Sequence, residues 1–152
     1  MDYVSYIRGF TGHSEIFLMC AGAVIADDKG RVLLQKRGDN GKWGLPGGVM
    51  ELGESAEETA VRETFEETGL TVEVGELIGI YTKYKCVYPN GDKAQPVLAA
   101  FTAEIKGGTL KCDGGETLDL RFFAEDELPE MAFVQQRDIL EDYFSGKRGC
   151  FR

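Results

Sequence analysis

The segment from Gly48 to Leu70 carries most of the acidic charge of this chain. It reads GVMELGESAEETAVRETFEETGL, and seven glutamates against one arginine give it a formal charge of −6 out of −9 for all 152 residues. Like charges at this density repel one another and destabilise a compact state unless a cation compensates them. Carboxylate oxygens are the ligands that hard divalent cations prefer, so the segment predicts a magnesium site. The glutamates are Glu51, Glu54, Glu57, Glu58, Glu63, Glu66 and Glu67.

Local signals at both ends of the segment predict a helix over residues 56–68. Ser55 is followed three residues later by Glu58, which is the pattern of a capping box at a helix N-terminus. Gly69 stands where a glycine commonly follows the last helical turn. The acidic segment therefore consists of a loop followed by a helix.

The predicted helix gathers three glutamates on one side. Glu63, Glu66 and Glu67 are spaced three and four apart, so they project from an arc of roughly 100°. Arg62 lies four residues after Glu58 and four before Glu66, and we expect it to bridge both carboxylates. A solvated acidic helix face is the alternative interpretation. The glycine-rich approach, the capping box and the grouped glutamates together favour a functional cluster.

The spacing within this segment resembles the Nudix box. Gly48 is followed after five residues by Glu54, after seven more by Arg62-Glu63, after two by Glu66-Glu67 and after one by Gly69-Leu70. Every charged and glycine position of the family pattern is filled. The preceding stretch LQKRGDNGKWGLPGG, residues 34–48, is also similar to the strand and loop that lead into the box in that family.

One position of the box departs from the family pattern. The family usually has an aliphatic residue where this chain has Thr64. The methyl group of a threonine can still pack against a core. We expect its hydroxyl to donate a hydrogen bond to the carbonyl of Ala60, one turn back along the helix. The departure is therefore interpreted as a packing variant.

The resemblance implies roles for the residues of the box. Glu66 and Glu67 would be the central metal ligands, and Glu63 would bind metal or orient and deprotonate the attacking water. The carbonyl of Gly47 matches a family position that also ligates metal, and Arg62 would orient a glutamate. Phosphoanhydride hydrolysis needs a bound pyrophosphate, neutralised charge and an activated water, and magnesium helps with the last two. Manganese is a possible substitute for magnesium.

Other residues are candidates with less specific signals. Gly48 would let the backbone approach the phosphates, and Glu54 would be a supporting carboxylate or a ligand of an additional ion. Glu116 precedes a predicted strand where many family members place another glutamate as ligand or base; a solvated loop carboxylate is the alternative. Arg37 and Lys83 are candidate phosphate or sugar contacts, with ordinary surface charge as the alternative for each.

The whole chain suits a single domain. We expect residues 1–152 to form one Nudix domain, with residues 1–15 as an N-terminal extension and 48–70 as the box. No run approaches the ~18 apolar residues that span a bilayer, and no secretion signal is visible. The four cysteines are widely separated, which favours a reduced, cytoplasmic setting. A pI of about 4.7 argues against binding a nucleic-acid polymer. The expected partner is a small nucleotide, with a homodimer possible.

The periodicity predicts an α/β fold. We expect strands over 16–26 and 31–36, paired as a hairpin, a loop over 37–49, a long strand over 71–87, and strands over 96–105 and 118–124. Helices are predicted over 3–10, 56–68 and 134–144. Strands mixed with helices suit a mixed sheet covered by helices on both faces. The resemblance implies the same α/β/α sandwich with a catalytic loop-helix-loop.

The expected function is magnesium-dependent hydrolysis of a nucleoside diphosphate linked to another group. Two substrate classes stay open: a nucleotide sugar or ADP-ribose-like compound, and a damaged nucleoside triphosphate. ADP-ribose hydrolases of the family often carry a proline where this chain has Lys85 and Cys86. The alternative function is a catalytically silent nucleotide-binding sensor of the same fold. Such sensors usually lose a box glutamate, and this chain keeps them all.

Overall fold

The computed structural model describes residues 1–152 as three α-helices and nine strands. The helices are α1 (Tyr3–Thr11), α2 (Ala56–Thr68) and α3 (Val134–Phe144), with a short 3-10 helix at Glu125–Glu127. The strands are β1 (Ile16–Ile25), β2 (Val32–Arg37), β3 (Trp43–Gly44), β4 (Gly47–Val49), β5 (Leu70–Tyr81), β6 (Cys86–Val87), β7 (Lys93–Gly108), β8 (Thr117–Phe123) and β9 (Cys150–Phe151). None of the helices is long and apolar enough to cross a membrane.

The strands form two sheets. The larger has the order β4-β1-β7-β5-β9, with β6 also paired to β7. It is mixed, because β1 runs parallel to β7 while β5 runs antiparallel to it. The smaller sheet is antiparallel and has the order β3-β2-β8. The predicted α/β class with a mixed sheet is confirmed.

Helices cover both faces of the larger sheet. Ala60 of α2 packs in a small cluster with Ala21 of β1. Ile139 and Leu140 of α3 belong to the main core together with Leu18 of the same strand. Residues an odd number apart on a strand point to opposite faces, so α2 and α3 lie on opposite sides of β1. This arrangement is the expected sandwich, and it places α2 beside β4.

The predicted hairpin between the first two strands is wrong. β1 and β2 follow each other closely, but only one bridge, between Ala26 and Val32, joins them. β1 instead pairs along its whole length with β7, and β2 pairs with β8. Most of β1 is buried on both faces. A strand of that kind belongs in the interior of a sheet, and the long parallel partner provides that position.

Helix α2 has the predicted bounds. The Ser55 hydroxyl accepts from the amide of Glu58 at 3.1 Å, and the Glu58 carboxylate accepts from the amide of Ser55 at 2.7 Å. Gly69 adopts the left-handed conformation, with φ of 77°, and its amide closes the last turn on Phe65. Because Glu58 is committed to the cap, the expected ion pair between it and Arg62 does not form.

The hydroxyl of Thr64 behaves differently from the expectation. Thr64 is fully buried, and its Oγ1 has no hydrogen-bond partner. The predicted bond to the Ala60 carbonyl is therefore wrong. Thr68, one turn later, makes the bond of this kind, with its Oγ1 2.6 Å from the Thr64 carbonyl. Thr64 packs as an aliphatic residue would, but it buries an unpaired hydroxyl.

The remaining elements refine the predicted pattern. The long strand expected over 71–87 is divided into β5 and β6, and the expected loop over 37–49 contains β3 and β4. The turn over 88–92 joins β6 to β7 as an antiparallel hairpin. The first and last predicted helices are confirmed, with α1 extending to Thr11. The short strand β9 has no counterpart in the predicted pattern.

Candidate functional site

Two glycines let β4 lie close to β1 on one side and to the glutamates of α2 on the other. β4 pairs antiparallel with β1, with Gly48 opposite Ala21. A Cβ on Gly47 would lie 2.7 Å from the carbonyl oxygen of Ala21, and a Cβ on Gly48 would lie 2.5 Å from Cδ of Glu63. At position 47 the close atoms belong to the backbone of β1, so only glycine fits there, whereas a Cβ at position 48 would push aside the end of the Glu63 side chain. The backbone of β4 consequently lies against the carboxylate of Glu63.

Glu67 is held from two sides in a partly buried position. Its Oε2 accepts from the amide of Gly47 at 3.0 Å and from Nε2 of Gln35 at 2.6 Å. Burial raises the pKa of Glu67 to about 8, and these hydrogen bonds only partly oppose that effect. A cation beside the carboxylate would restore its charged form. The environment of Glu67 therefore fits a cation ligand.

Arg62 organises the other side of the cluster. Its Nε lies 2.5 Å from Oε1 of Glu54, and its Nη2 donates to Oε2 of Glu54 and to the carbonyl of Val49 at 3.0 Å and 3.1 Å. Nη1 donates to Oε1 of Glu63 at 2.8 Å and to Oε2 of Glu66 at 3.3 Å. The Arg62 guanidinium lowers the pKa of Glu54 to about 2. Burial raises the pKa of Glu63 despite the same guanidinium.

The three box glutamates differ in exposure. The side chain of Glu66 is 56% exposed, whereas that of Glu63 is 16% exposed. No three or more His, Cys, Asp or Glu side chains converge on one point, and Arg62 is the cation that links Glu63 to Glu66. The candidate metal ligands where α2 meets β4 are all oxygens. They are the carboxylates of α2 and the backbone carbonyls of β4. An oxygen-only set of this kind fits a hard divalent cation.

Two cavities open beside this cluster, and Glu116 lines both. The first, of about 340 Å³, lies next to Glu67, and its lining contains no hydrophobic side chain. The second, of about 620 Å³, has Arg62 and Glu63 in its lining. The first is lined by Gln35, Arg37, Asp39, Glu67, Gly115, Glu116 and Thr117. The loop that carries Glu116 therefore faces the glutamate cluster of α2.

Of the two candidate basic contacts, one lies in the site. Arg37 lines the first cavity and forms a two-point pair with Asp39, at 3.0 Å and 2.8 Å. Lys83 is exposed, and its Nζ lies 5.6 Å from the ring centre of Tyr84. It lines neither cavity. The structure thus brings Arg37, but not Lys83, to the glutamate cluster.

Sequence reasoning missed Gln35 and Thr117. Both are almost fully buried, at 3% and 2% exposure, and both line the first cavity. Gln35 follows three buried aliphatic residues of β2. A polar amide at the end of such an apolar run is the sequence signal that could have identified it. Thr117 gives no such signal, because it begins a short strand after a polar loop.

Comparisons with known proteins agree with this geometry. The family model of the NUDIX domain matches residues 17–143. The chain is 37% identical over 129 residues to an ADP-ribose pyrophosphatase of Methanocaldococcus jannaschii, covering 82% of this chain and 72% of that protein. It is 34% identical over 126 residues to a putative 8-oxo-dGTP diphosphatase of Bacillus subtilis, covering 83% and 79%.

A solved structure supports the same assignment. The chain resembles a crystal structure of a NUDIX hydrolase from Nitrosomonas europaea with a TM-score of 0.70 and 30% identity, over 88% of this chain and 76% of that one. Hydrolases of this family generally use a divalent metal, in agreement with the oxygen donors on α2 and β4. The family model, the curated relatives and the shared fold together show that this chain belongs to the Nudix family and is a Nudix hydrolase.

Proposed function

We propose that this hydrolase uses Mg²⁺, with Mn²⁺ as a substitute, to cleave the phosphoanhydride bond of a nucleoside diphosphate linked to another group. One observation carries the proposal. Glu67 of α2 lines the first cavity, Glu63 lines the second and Glu116 lines both, while the two glycines of β4 lie against the same two α2 glutamates. Anhydride hydrolysis needs oxygen ligands, close approach of the backbone to phosphate and a proton acceptor, and these elements supply all three.

Each residue of the cluster has a distinct part in the proposal. Glu63, Glu66, Glu67 and the Gly47 carbonyl would hold the cation, although the three carboxylates do not converge on one point in the structure. The cation, when bound, neutralises phosphate charge and makes a coordinated water more acidic. Arg62 holds Glu63 by Oε1 alone, which leaves Oε2 of Glu63 free to orient a water or accept its proton.

Glu116 is the second candidate for the proton acceptor. It lines both cavities together with glutamates of α2. A carboxylate within hydrogen-bond reach of the attacking water can act as a general base. Glu63 and Glu116 are therefore the two residues between which this role is to be assigned.

The first cavity favours a hydroxylated group beyond the phosphates. Its lining contains no hydrophobic residue, and the Arg37–Asp39 pair presents both donors and acceptors. The hydroxyl groups of a sugar can hydrogen-bond to such side chains, whereas the faces of a nucleobase pack best on apolar or aromatic side chains. The name of the Methanocaldococcus jannaschii relative also favours an ADP-ribose-like compound or a nucleotide sugar. A damaged nucleoside triphosphate is the second candidate, by the name of the Bacillus subtilis relative.

The test is hydrolysis of a defined substrate panel with MgCl₂. The panel holds ADP-ribose, other nucleotide sugars, diadenosine polyphosphates, and normal and oxidised nucleoside triphosphates. Wild type is compared with Glu66→Gln and with Glu57→Gln, an exposed glutamate of the same helix that lines neither cavity. We expect turnover of ADP-ribose or a nucleotide sugar, its loss in Glu66→Gln and its retention in Glu57→Gln.

Other outcomes separate the alternatives. Turnover confined to oxidised triphosphates would replace the proposed substrate class and keep the mechanism. Turnover that survives both a chelator and Glu66→Gln would defeat the metal mechanism. Tight nucleotide binding without turnover of any compound would favour the silent sensor.

A further inference from the structure

Gln35 connects the two sides of the site through a buried relay. On β2, its side chain donates from Nε2 to Oε2 of Glu67 at 2.6 Å, and its Oε1 accepts from Oγ1 of Thr117 at 2.8 Å. Gln35 is 3% exposed and Thr117 is 2% exposed, so these bonds are largely shielded from water although both residues line the first cavity. Three residues that are far apart in sequence thus form one continuous chain of hydrogen bonds.

The chemistry of the neighbours selects a glutamine at this position. The carboxylate of Glu67 and the carbonyl of Leu45, 3.5 Å from Nε2, both require a donor. The hydroxyl of Thr117 can donate in turn to Oε1. Only an amide provides two N–H donors on one side and an acceptor on the other. A glutamate at position 35 would place a second negative charge against Glu67.

The Thr117 end of the relay is itself held in place. Oδ1 of Asp113 accepts from the amides of Gly115 and Thr117 at 2.9 Å and 3.0 Å. The carbonyl of Glu116 accepts from the amide of Gly38 at 2.9 Å. The loop therefore has a defined shape, and Glu116 is the residue next to the hydroxyl that binds Gln35. A displacement of this loop would therefore move the Thr117 hydroxyl that binds the Gln35 amide.

We propose that Gln35 is a positioning residue that orients the carboxylate of Glu67 towards the cation and couples it to the loop carrying Glu116. This inference rests on the proposed function, since it assigns Glu67 to the cation. Gln35 acts through Glu67 and Thr117. Polar partners of metal ligands typically change metal affinity or activity by about 10- to 100-fold when they are removed.

The experiment measures binding of MgCl₂ alone by titration calorimetry, and separately kcat and KM. The variants are Gln35→Met, Thr117→Val, which removes the hydroxyl at constant shape, and Thr117→Ser, which retains it. Gln95→Met is the control, because Gln95 donates only to the carbonyl of Thr82 at 2.8 Å and lines neither cavity. Thermal melts of each variant show whether the fold is intact.

We expect Gln35→Met to weaken Mg²⁺ binding by about tenfold or more and to lower kcat while KM changes little. Thr117→Val should show a smaller loss that Thr117→Ser restores, and Gln95→Met should match wild type. Wild-type Mg²⁺ affinity and kcat in a folded Gln35→Met would overturn the proposal. If Gln35→Met does not fold, equal behaviour of Thr117→Val and Thr117→Ser overturns it, and a loss in Thr117→Val alone supports it.

The outcome is distinguishable from failure of the proposed function. A protein without turnover on any compound of the panel would contradict that function. The Mg²⁺ titration needs no substrate, so the dependence of cation binding on Gln35 and Thr117 is measured in either case.

Discussion

Arg62 and Glu54 form a two-point ion pair across the start of α2, with Nε 2.5 Å from Oε1 and Nη2 3.0 Å from Oε2. Glu54 is held further by the amide of Glu51 and the hydroxyl of Thr59, at 3.0 Å and 2.9 Å. The pair ties the loop before the helix to its middle turn. With the guanidinium anchored in this way, its Nη1 donates to Oε1 of Glu63 and holds that carboxylate beside β4.

Replacing Arg62 by lysine should break this arrangement. A lysine ammonium group cannot donate to both carboxylate oxygens of Glu54 and also to Glu63, because it lacks the planar fork of a guanidinium. We expect Arg62→Lys to lower kcat and Mg²⁺ affinity by about 10- to 100-fold. Arg31→Lys is the matched control, since Arg31 pairs with Asp27 outside the site. Wild-type kinetics in Arg62→Lys would show that the Arg62–Glu54 ion pair has no part in positioning Glu63.

A methyl group on Gly48 should displace Glu63. The added Cβ would lie within 2.7 Å of both carboxylate oxygens and of Cδ of Glu63, so the side chain must move. A displacement of about 1 Å in a catalytic group can cost about 100-fold in rate. We expect Gly48→Ala to fold and to lose most of its kcat. Gly107→Ala is the control, because nothing lies within 4 Å of a Cβ at that strand position. Equal activity of the two variants would contradict the steric argument.

Valine in place of Thr64 should stabilise the protein. Thr64 is fully buried with an unpaired Oγ1, and valine keeps its shape while removing that hydroxyl. A buried unpaired polar group costs about 1–3 kcal/mol, so we expect the free energy of unfolding in urea to rise by about 1 kcal/mol. Thr68→Val should do the reverse, because Oγ1 of Thr68 bonds the Thr64 carbonyl and the Leu70 amide. Destabilisation by Thr64→Val would refute this account.

Asp142 should make stability depend on acid pH. The residue is buried, and its carboxylate accepts from Tyr81 at 2.8 Å and from Arg152 at 3.1 Å and 2.7 Å. Burial by itself would raise the pKa of Asp142, but the hydrogen bonds from Arg152 and Tyr81 outweigh it and lower the pKa. A carboxyl whose pKa is lower in the folded state stabilises the fold above its unfolded pKa. That contribution is lost as the pH falls through the folded value.

We therefore expect Asp142→Asn to reduce the free energy of unfolding by about 2 kcal/mol at neutral pH. The difference from wild type should shrink as the pH falls below about 4, where the unfolded carboxyl is protonated. Denaturant unfolding of both proteins at several pH values between neutral and acid measures this difference in the free energy of unfolding. Glu141→Gln, an exposed neighbour on α3, should show no such trend. A difference that is independent of pH would exclude the charge of Asp142 as its cause.

Local patterns predicted the features of this protein that depend on residues close together in sequence. The bounds of α2 follow from Ser55, Glu58 and Gly69, which act within one helical turn of the ends they cap. The common direction of Glu63 and Glu67 follows from the helical period alone. For the same reason the sequence sufficed to recognise the box and to predict the mixed α/β class.

The tertiary structure decided how distant segments meet. Arg62 binds Glu54 because the capping box already occupies Glu58, and Thr64 stays unpaired although its sequence allowed a local bond. Strand order separated β1 from β2 and brought residues 35, 67 and 117 together as one relay. Spacing along a helix or strand encodes which side a residue faces, but which element lies on that side depends on the packing of the whole sheet. The sequence by itself therefore determined which glutamates share one side of α2, and the fold decided which side chains hold them in place.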